Sequence, residues 1–179
     1  MKIGIFADSH DHVDNVRHAV SVFNRAECEL VLFAGDLVSP MVVPALRKLN
    51  CPLIACFGDN DGNKTGIEGG MKIVGSIGEP PMGVLIPDGT RILLTHVPSS
   101  TREMTDGFHV IVTAHTHRPR IFWNEQGQLQ INPGETSGWT YRQPSVVLLE
   151  TQPLEAEIVS LPEMPPLPVG WASAGEYSE

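Results

Sequence analysis

Residues 1–10 read MKIGIFADSH, a short apolar run from Met1 to Ala7 followed at once by Asp8-Ser9-His10. The run reads as a buried strand. An acid and an imidazole two apart, just past its carboxyl end, face the crevice where open α/β sheets hold ligands. The same event recurs four times. Leu30 to Ala34 leads into Gly35-Asp36, and Leu53 to Phe57 into Gly58-Asp59-Asn60-Asp61. Arg91 to Thr95 ends at His96, and Val110 to Thr113 runs to Ala114-His115-Thr116-His117. One strand ending in an acid would mean little. Five in series argue that the strand ends converge on one cluster of carboxylates and imidazoles, a candidate dinuclear metal site.

Between these strands the period changes. Val13, Val16, Ala19, Val20 and Phe23 share one helical face, which predicts a helix from near His12 to near Glu27. Ser39-Pro40 opens a second helix, Ser39 as N-cap and Pro40 at the first helical position, with Val43, Leu46 and Leu49 inward. The order is β-α-β-α-β, the signature of a parallel sheet with right-handed crossovers. Asn60 to Gly70 is polar and glycine-rich and reads as a loop. Short strands are expected at Met71 to Ile77 and Val84 to Pro87, with Asp88-Gly89 as a hairpin turn. Hairpins then follow through Ile121 to Trp123, Leu129 to Ile131, Ser145 to Glu150 and Glu155 to Leu161, so the second half reads as antiparallel. This order predicts an α/β fold, a four-layer α/β-β/α sandwich of two mixed sheets flanked by helices.

The chain of 179 residues is expected to hold one domain over 1–160 and a proline-rich tail over 161–179, where Leu161 to Pro168 carries four prolines in eight residues. Trp171 and Tyr177 could pin the tail to the body or to another subunit, and a homodimer or larger assembly is one expectation. The net charge of −9, from 12 Lys and Arg against 21 Asp and Glu, disfavours polyanionic nucleic acid and anionic membrane surfaces. A bound metal pair would reverse the sign locally and admit a small phosphate substrate. No run approaches the ~20 apolar residues of a membrane span. Cys28, Cys51 and Cys56 are odd in number and lack a Cys-x-x-Cys, which fits reduced thiols in a cytoplasmic protein.

Asp and His suit manganese, zinc or iron, and two such ions can be bridged by one carboxylate. The pair generates a hydroxide nucleophile near neutral pH and binds phosphate oxygens, so no protein nucleophile is required. The five motifs, in this order, resemble those of the calcineurin-like metallophosphoesterases. The short length, His115-Thr116-His117-Arg118-Pro119 and Asn132-Pro133-Gly134 look like the small YfcE-type phosphodiesterase branch. The resemblance runs from Met1 to about Leu161. It implies that Asp8, His10, Asp36 and His117 hold one divalent ion. Asp36, Asp59, His96 and His115 hold the other, with Asp36 bridging. The implied metal is manganese, with nickel, zinc or iron as alternatives. The implied reaction is hydrolysis of a small phosphodiester by the bridging hydroxide. A phosphomonoesterase, or a scaffold like the retromer small subunit, is the alternative.

Two positions depart from the family pattern. Asp59 stands where relatives carry Asn, and either Asp59 or Asn60 could supply the ligand. Asn60 stands where many relatives carry a His that assists the leaving group, so this chain is expected to act weakly on poor leaving groups unless His12 or water substitutes. His12 itself reads either as site rim or as helix start. Asn60 and His12 are therefore the candidate catalytic residues. Arg118 reads as a carboxylate partner rather than a substrate ligand, and Asn132 with Gly134 as a structural turn beside the site.

Overall fold

The computed structural model describes residues 1–101 and 104–162. Strand β1 (Lys2–Phe6) alternates its side chains between two cores. Ile3 and Ile5 join the apolar cluster between two sheets, and Phe6 joins the cluster under the helices. This is the period-2 consequence of a strand buried on both faces. Helix α1 (Val13–Arg25) follows, then β2 (Leu30–Ala34). A 3-10 turn over Pro40–Val42 runs into α2 (Val43–Leu46), and β3 (Leu53–Cys56) comes next. Ser39 caps that turn as expected, its hydroxyl accepting the Met41 N–H.

Helix α3 (Lys64–Met71) lies where a loop over 60–70 was expected. The glycines that suggest a loop are outweighed by burial. Asn63 accepts the Gly66 N–H as N-cap, and Ile67 and Met71, one turn apart, are fully buried against the helix-side core. Strand β4 (Gly75–Gly78) closes the edge of the first sheet.

The remaining strands are β5 (Met82–Leu85), β6 (Arg91–Leu94), β7 (Val110–Val112), β8 (Arg120–Trp123), β9 (Leu129–Asn132), β10 (Ser145–Thr151) and β11 (Leu154–Ser160). The six-stranded sheet runs β11-β10-β1-β2-β3-β4 and the five-stranded sheet β5-β6-β7-β9-β8. Both are mixed, as expected. The second half is nevertheless not simply antiparallel: β6, β7 and β9 are parallel neighbours. The strands that end in His96 and His115 must deliver both imidazoles to one crevice, so they run the same way.

Phe6, Phe23, Phe33 and Phe57 are fully buried on the helix side, and the Phe6 ring lies tilted against Phe33 with centroids 4.5 Å apart. Each contributes roughly 1.5–3 kcal/mol by leaving water. Leu32, Ala34, Leu94 and Val112 fill the space between the sheets. At the end away from the site the Met1 amino group donates to Thr151 Oγ1 at 2.9 Å, and the same hydroxyl donates to Asp88. That cluster ties the β5–β6 turn of one sheet to the β10–β11 turn of the other.

Leu161, read as the first tail residue, is buried in the helix-side core and donates its N–H to the Pro144 carbonyl. The rest of the expected tail from residue 163, with Trp171 and Tyr177, lies outside the described residues. No helix among the described residues is long and apolar enough to cross a membrane.

Candidate metal centre

Loops leaving the carboxyl ends of β1, β2, β3, β6 and β7 carry the seven ligand-type side chains. The first two loops are laced together by backbone bonds. Asp8 N–H donates to Gly35 O at 3.0 Å, and Ser9 and His10 N–H both donate to Asp36 O at 3.1 Å. Their conformations are unusual for residues with side chains. Asp8, His10, Asp11, Asp36, Val38, His115 and His117 all have left-handed φ, and outside these loops only Glu27 and Arg142 do so among described non-glycine residues. Strain concentrated in this way marks a functional site. Close approach explains the glycines of the second and third motifs. A side chain at Gly58 would overlap the Asp36 carboxylate, and one at Gly35 would press on the His96 imidazole.

The ligand atoms fall into groups that share Asp8 or sit against Asp36. His117 Nε2 lies 3.6 Å from Asp8 Oδ1, His10 Nε2 lies 3.6 Å from Asp36 Oδ2, and the two imidazole Nε2 atoms are 3.4 Å apart. On the other side His96 Nε2 lies 2.7 Å from Asp59 Oδ1 and 3.5 Å from Asp36 Oδ2. His115 Nδ1 lies 3.1 Å from the same Asp59 oxygen. Asp36 thus stands between the two groups. Asp59 rather than Asn60 meets the imidazoles. Asn60 points its backbone N–H and its side-chain amide at the two Asp36 oxygens, at 2.9 and 2.8 Å.

These groups are poorly satisfied by the protein alone. Asp8 is fully buried, yet neither carboxylate oxygen has a hydrogen-bond partner of good geometry, and the same holds for Nε2 of buried His96. His96 Nδ1 faces the Ala34 carbonyl at 2.7 Å, which places its proton there and turns the Nε2 lone pair toward the carboxylates. A lone pair facing carboxylate oxygens needs a cation or a proton between them. The titration behaviour agrees. Burial pushes the Asp8 carboxyl up to about 7, while His117 and His96 pull the other way. Burial disfavours a charged His96, but hydrogen bonding and attraction from Asp36 outweigh it and raise the ring to about 9. For Asp36 burial raises, and the bonds from His96 and Asn60 win and hold its carboxyl well below the usual range. Asp8 and His96 are thus both driven toward their protonated forms, while Asp36 is held ionised. Three Asp and four His at this spacing are a donor set that fits divalent transition metals.

Outer residues hold the candidate ligands in place, and two were not singled out from the sequence. Glu135, fully buried, lies 2.9 Å from His117 Nδ1 through Oε2. It is an acid just past the carboxyl end of β9, so the same strand-end rule would have found it. Asp61 accepts the backbone N–H groups of Asp36, Val38 and Gly58, at 3.3, 2.7 and 2.7 Å. It clamps the second and third loops together. Asn132 donates to Ala114 O and Thr116 Oγ1, both at 3.0 Å, the structural turn expected of it.

His12 is in none of the ligand groups. It caps α1, its Nδ1 accepting the Asn15 N–H at 3.2 Å. Arg118 corrects the expectation of a carboxylate partner. Among the described residues it has none, and its guanidinium sits 5.0 Å over the Tyr141 ring. A planar cation gains from an aromatic face without a counter-charge.

A family model described as calcineurin-like phosphoesterase superfamily domain matches residues 1–153. A phosphodiesterase of Methanocaldococcus jannaschii is 35% identical over 161 residues, covering 87% of this chain and 96% of that protein. A solved structure described as an archaeal phosphodiesterase superimposes with a TM-score of 0.83 at 33% identity, covering 90% of this chain and all of the other. The Escherichia coli phosphoesterase YfcE, at 19% identity and a TM-score of 0.67 over 90% of this chain and all of its own, shares the fold.

Proposed function

The chain belongs to the calcineurin-like phosphoesterase superfamily, and from that premise we propose that it is a phosphodiesterase working through two divalent ions. It is a phosphoric ester hydrolase, and the relative named phosphodiesterase supports a diester as substrate. In this reading Asp8, His10, Asp36 and His117 hold one ion, and Asp36, Asp59, His96 and His115 hold the other. Manganese, the metal the family resemblance implies, is the first choice, and the mixed carboxylate and imidazole donors accept it as they accept zinc, iron or nickel. When bound, such a pair supplies a nucleophile from water near neutral pH and positive charge for the phosphate oxygens.

The observation that carries the reading is Asp8, a fully buried carboxylate with no hydrogen-bond partner of good geometry, facing the Nε2 atoms of His10 and His117 at 4.0 and 3.6 Å. A fold does not keep such a group unpaired without return, since an uncompensated buried charge is costly. Asp36 accepts the backbone N–H and the side-chain amide of Asn60, which fixes the carboxylate with Oδ2 against both His10 and His96. Glu135 holds His117 with Nε2 toward Asp8. The Asn60 amide donates hydrogen bonds but cannot give up a proton, so the leaving group must take its proton from water or from His12. Diesters with acidic leaving groups are therefore the preferred substrates. The free thiols of Cys28, Cys51 and Cys56 fit a reducing cytoplasm.

The test compares bis(p-nitrophenyl) phosphate with p-nitrophenyl phosphate, with and without manganese. Metal-dependent cleavage favouring the diester is the expected result. Absence of cleavage with both ions bound would overturn the reading.

A further inference from the structure

Glu135 does more than hold His117. Its carboxylate also accepts the backbone N–H of Tyr141 at 2.6 Å and of Thr140 at 2.9 Å. Thr140 Oγ1 lies 3.1 Å from His117 Nδ1. The turn after Gly138 is thereby fastened to a candidate ligand, and an aromatic ring stands on each side of Thr140. Trp139 reaches toward the first loop, 5.7 Å from the His12 ring. Tyr141 reaches toward the fifth loop and lies under Arg118.

Both rings are exposed, Trp139 by 59% and Tyr141 by 42%. Large rings whose role is packing are hidden, as the buried phenylalanines of this chain are. Tyr141 is anchored through its backbone N–H by the buried Glu135, Trp139 adjoins the same turn, and both rings still face water; Arg118, over the Tyr141 ring, has no carboxylate partner among the described residues. Beyond Arg118 opens a groove of about 560 Å³, with Thr116, Arg118, Phe122 and Gln130 among its lining. Aromatic faces beside a guanidinium favour a planar heterocycle, which stacks on them, over a short alkyl group.

We propose that Trp139, Tyr141 and Arg118 form a subsite for the nucleobase of a nucleoside phosphodiester whose phosphate lies at the metal centre. The proposal rests on the phosphodiesterase reading and narrows its substrate class. The occupant is a small nucleotide rather than a nucleic acid strand, because a chain of net charge −9 with 12 Lys and Arg repels a polyanion.

Two measurements test it on the full chain loaded with manganese. The first compares kcat/KM for thymidine 5′-(p-nitrophenyl) phosphate and methyl p-nitrophenyl phosphate, which share a leaving group and differ in the base. In the Trp139→Ala/Tyr141→Ala variant the thymidine-to-methyl ratio should fall about tenfold or more, chiefly through KM, since stacking contributes roughly fivefold to a hundredfold per base. The Trp139→Phe/Tyr141→Phe variant should restore most of it. A ratio unchanged by the alanine pair overturns the proposal. The second measures binding of AMP against ribose 5-phosphate by calorimetry. AMP should bind about fivefold or more tighter, with the advantage lost in the alanine pair. Equal binding overturns the subsite even if diesters are cleaved. Discrimination by binding in a protein that cleaves neither ester would sustain the subsite and sink the phosphodiesterase reading instead.

Discussion

The fully buried carboxylate of Glu135 lies 2.9 Å from Nδ1 of His117. Because a carboxylate only accepts, the imidazole proton sits on Nδ1 and the Nε2 lone pair turns toward Asp8, 3.6 Å away. Replacing Glu135 by Gln offers a donor where an acceptor is needed. The Glu135→Gln variant should bind manganese roughly 10–100-fold more weakly while remaining folded. Calorimetric metal titration beside a thermal melt checks this, and wild-type affinity would deny Glu135 the role.

Asp36 stands between both ligand groups and accepts both donors of Asn60. Asp36→Asn should lower turnover of bis(p-nitrophenyl) phosphate by more than the about hundredfold of an outer-shell change, with circular dichroism unchanged. Undiminished activity would exclude Asp36 from the mechanism.

Metal should stabilise the fold, since the unfolded chain has no assembled site. At a free concentration about a hundredfold above Kd, one ion contributes about 2.7 kcal/mol. For a domain of this size that raises Tm by roughly 5–10 °C. Melts with excess chelator and with saturating manganese give the difference directly, and identical melting temperatures would count against resident metal.

Away from the site, Asp88 accepts from the Thr151 hydroxyl and from Thr90, and those bonds lower its carboxyl from 3.8 to about 2. A depressed carboxyl stabilises the fold above its unfolded value of 3.8 and loses that contribution as pH falls through about 2. Asp88→Asn should therefore lower the urea midpoint at pH 7, and the gap from wild type should narrow between pH 4 and pH 2. A gap that stays constant with pH would show that ionisation of Asp88 is not what joins the two turns.

The strand ends carrying Asp8, Asp36, Asp59, His96 and His115 were legible because an apolar run followed by a ligand is local information. The α1 face was legible for the same reason, since Val16, Ala19, Val20 and Phe23 repeat at helical spacing and are all buried. Helix α3 was not, because its glycines argue against a helix and only the core that receives Ile67 and Met71 argues for it. The direction of β6, β7 and β9 was equally hidden, since parallel and antiparallel neighbours read alike in an apolar run.

The amino-acid sequence by itself determined which residues could hold metal, because their chemistry and order lie along the chain. Tertiary structure decided how they work together. It set Asp59 rather than Asn60 beside His96, turned Asn60 onto Asp36, and buried Glu135 behind His117. It also stood Trp139 and Tyr141 on either side of that histidine's support. Each of these relationships joins loops far apart in sequence, and their geometry follows from the packing of two sheets rather than from any local preference.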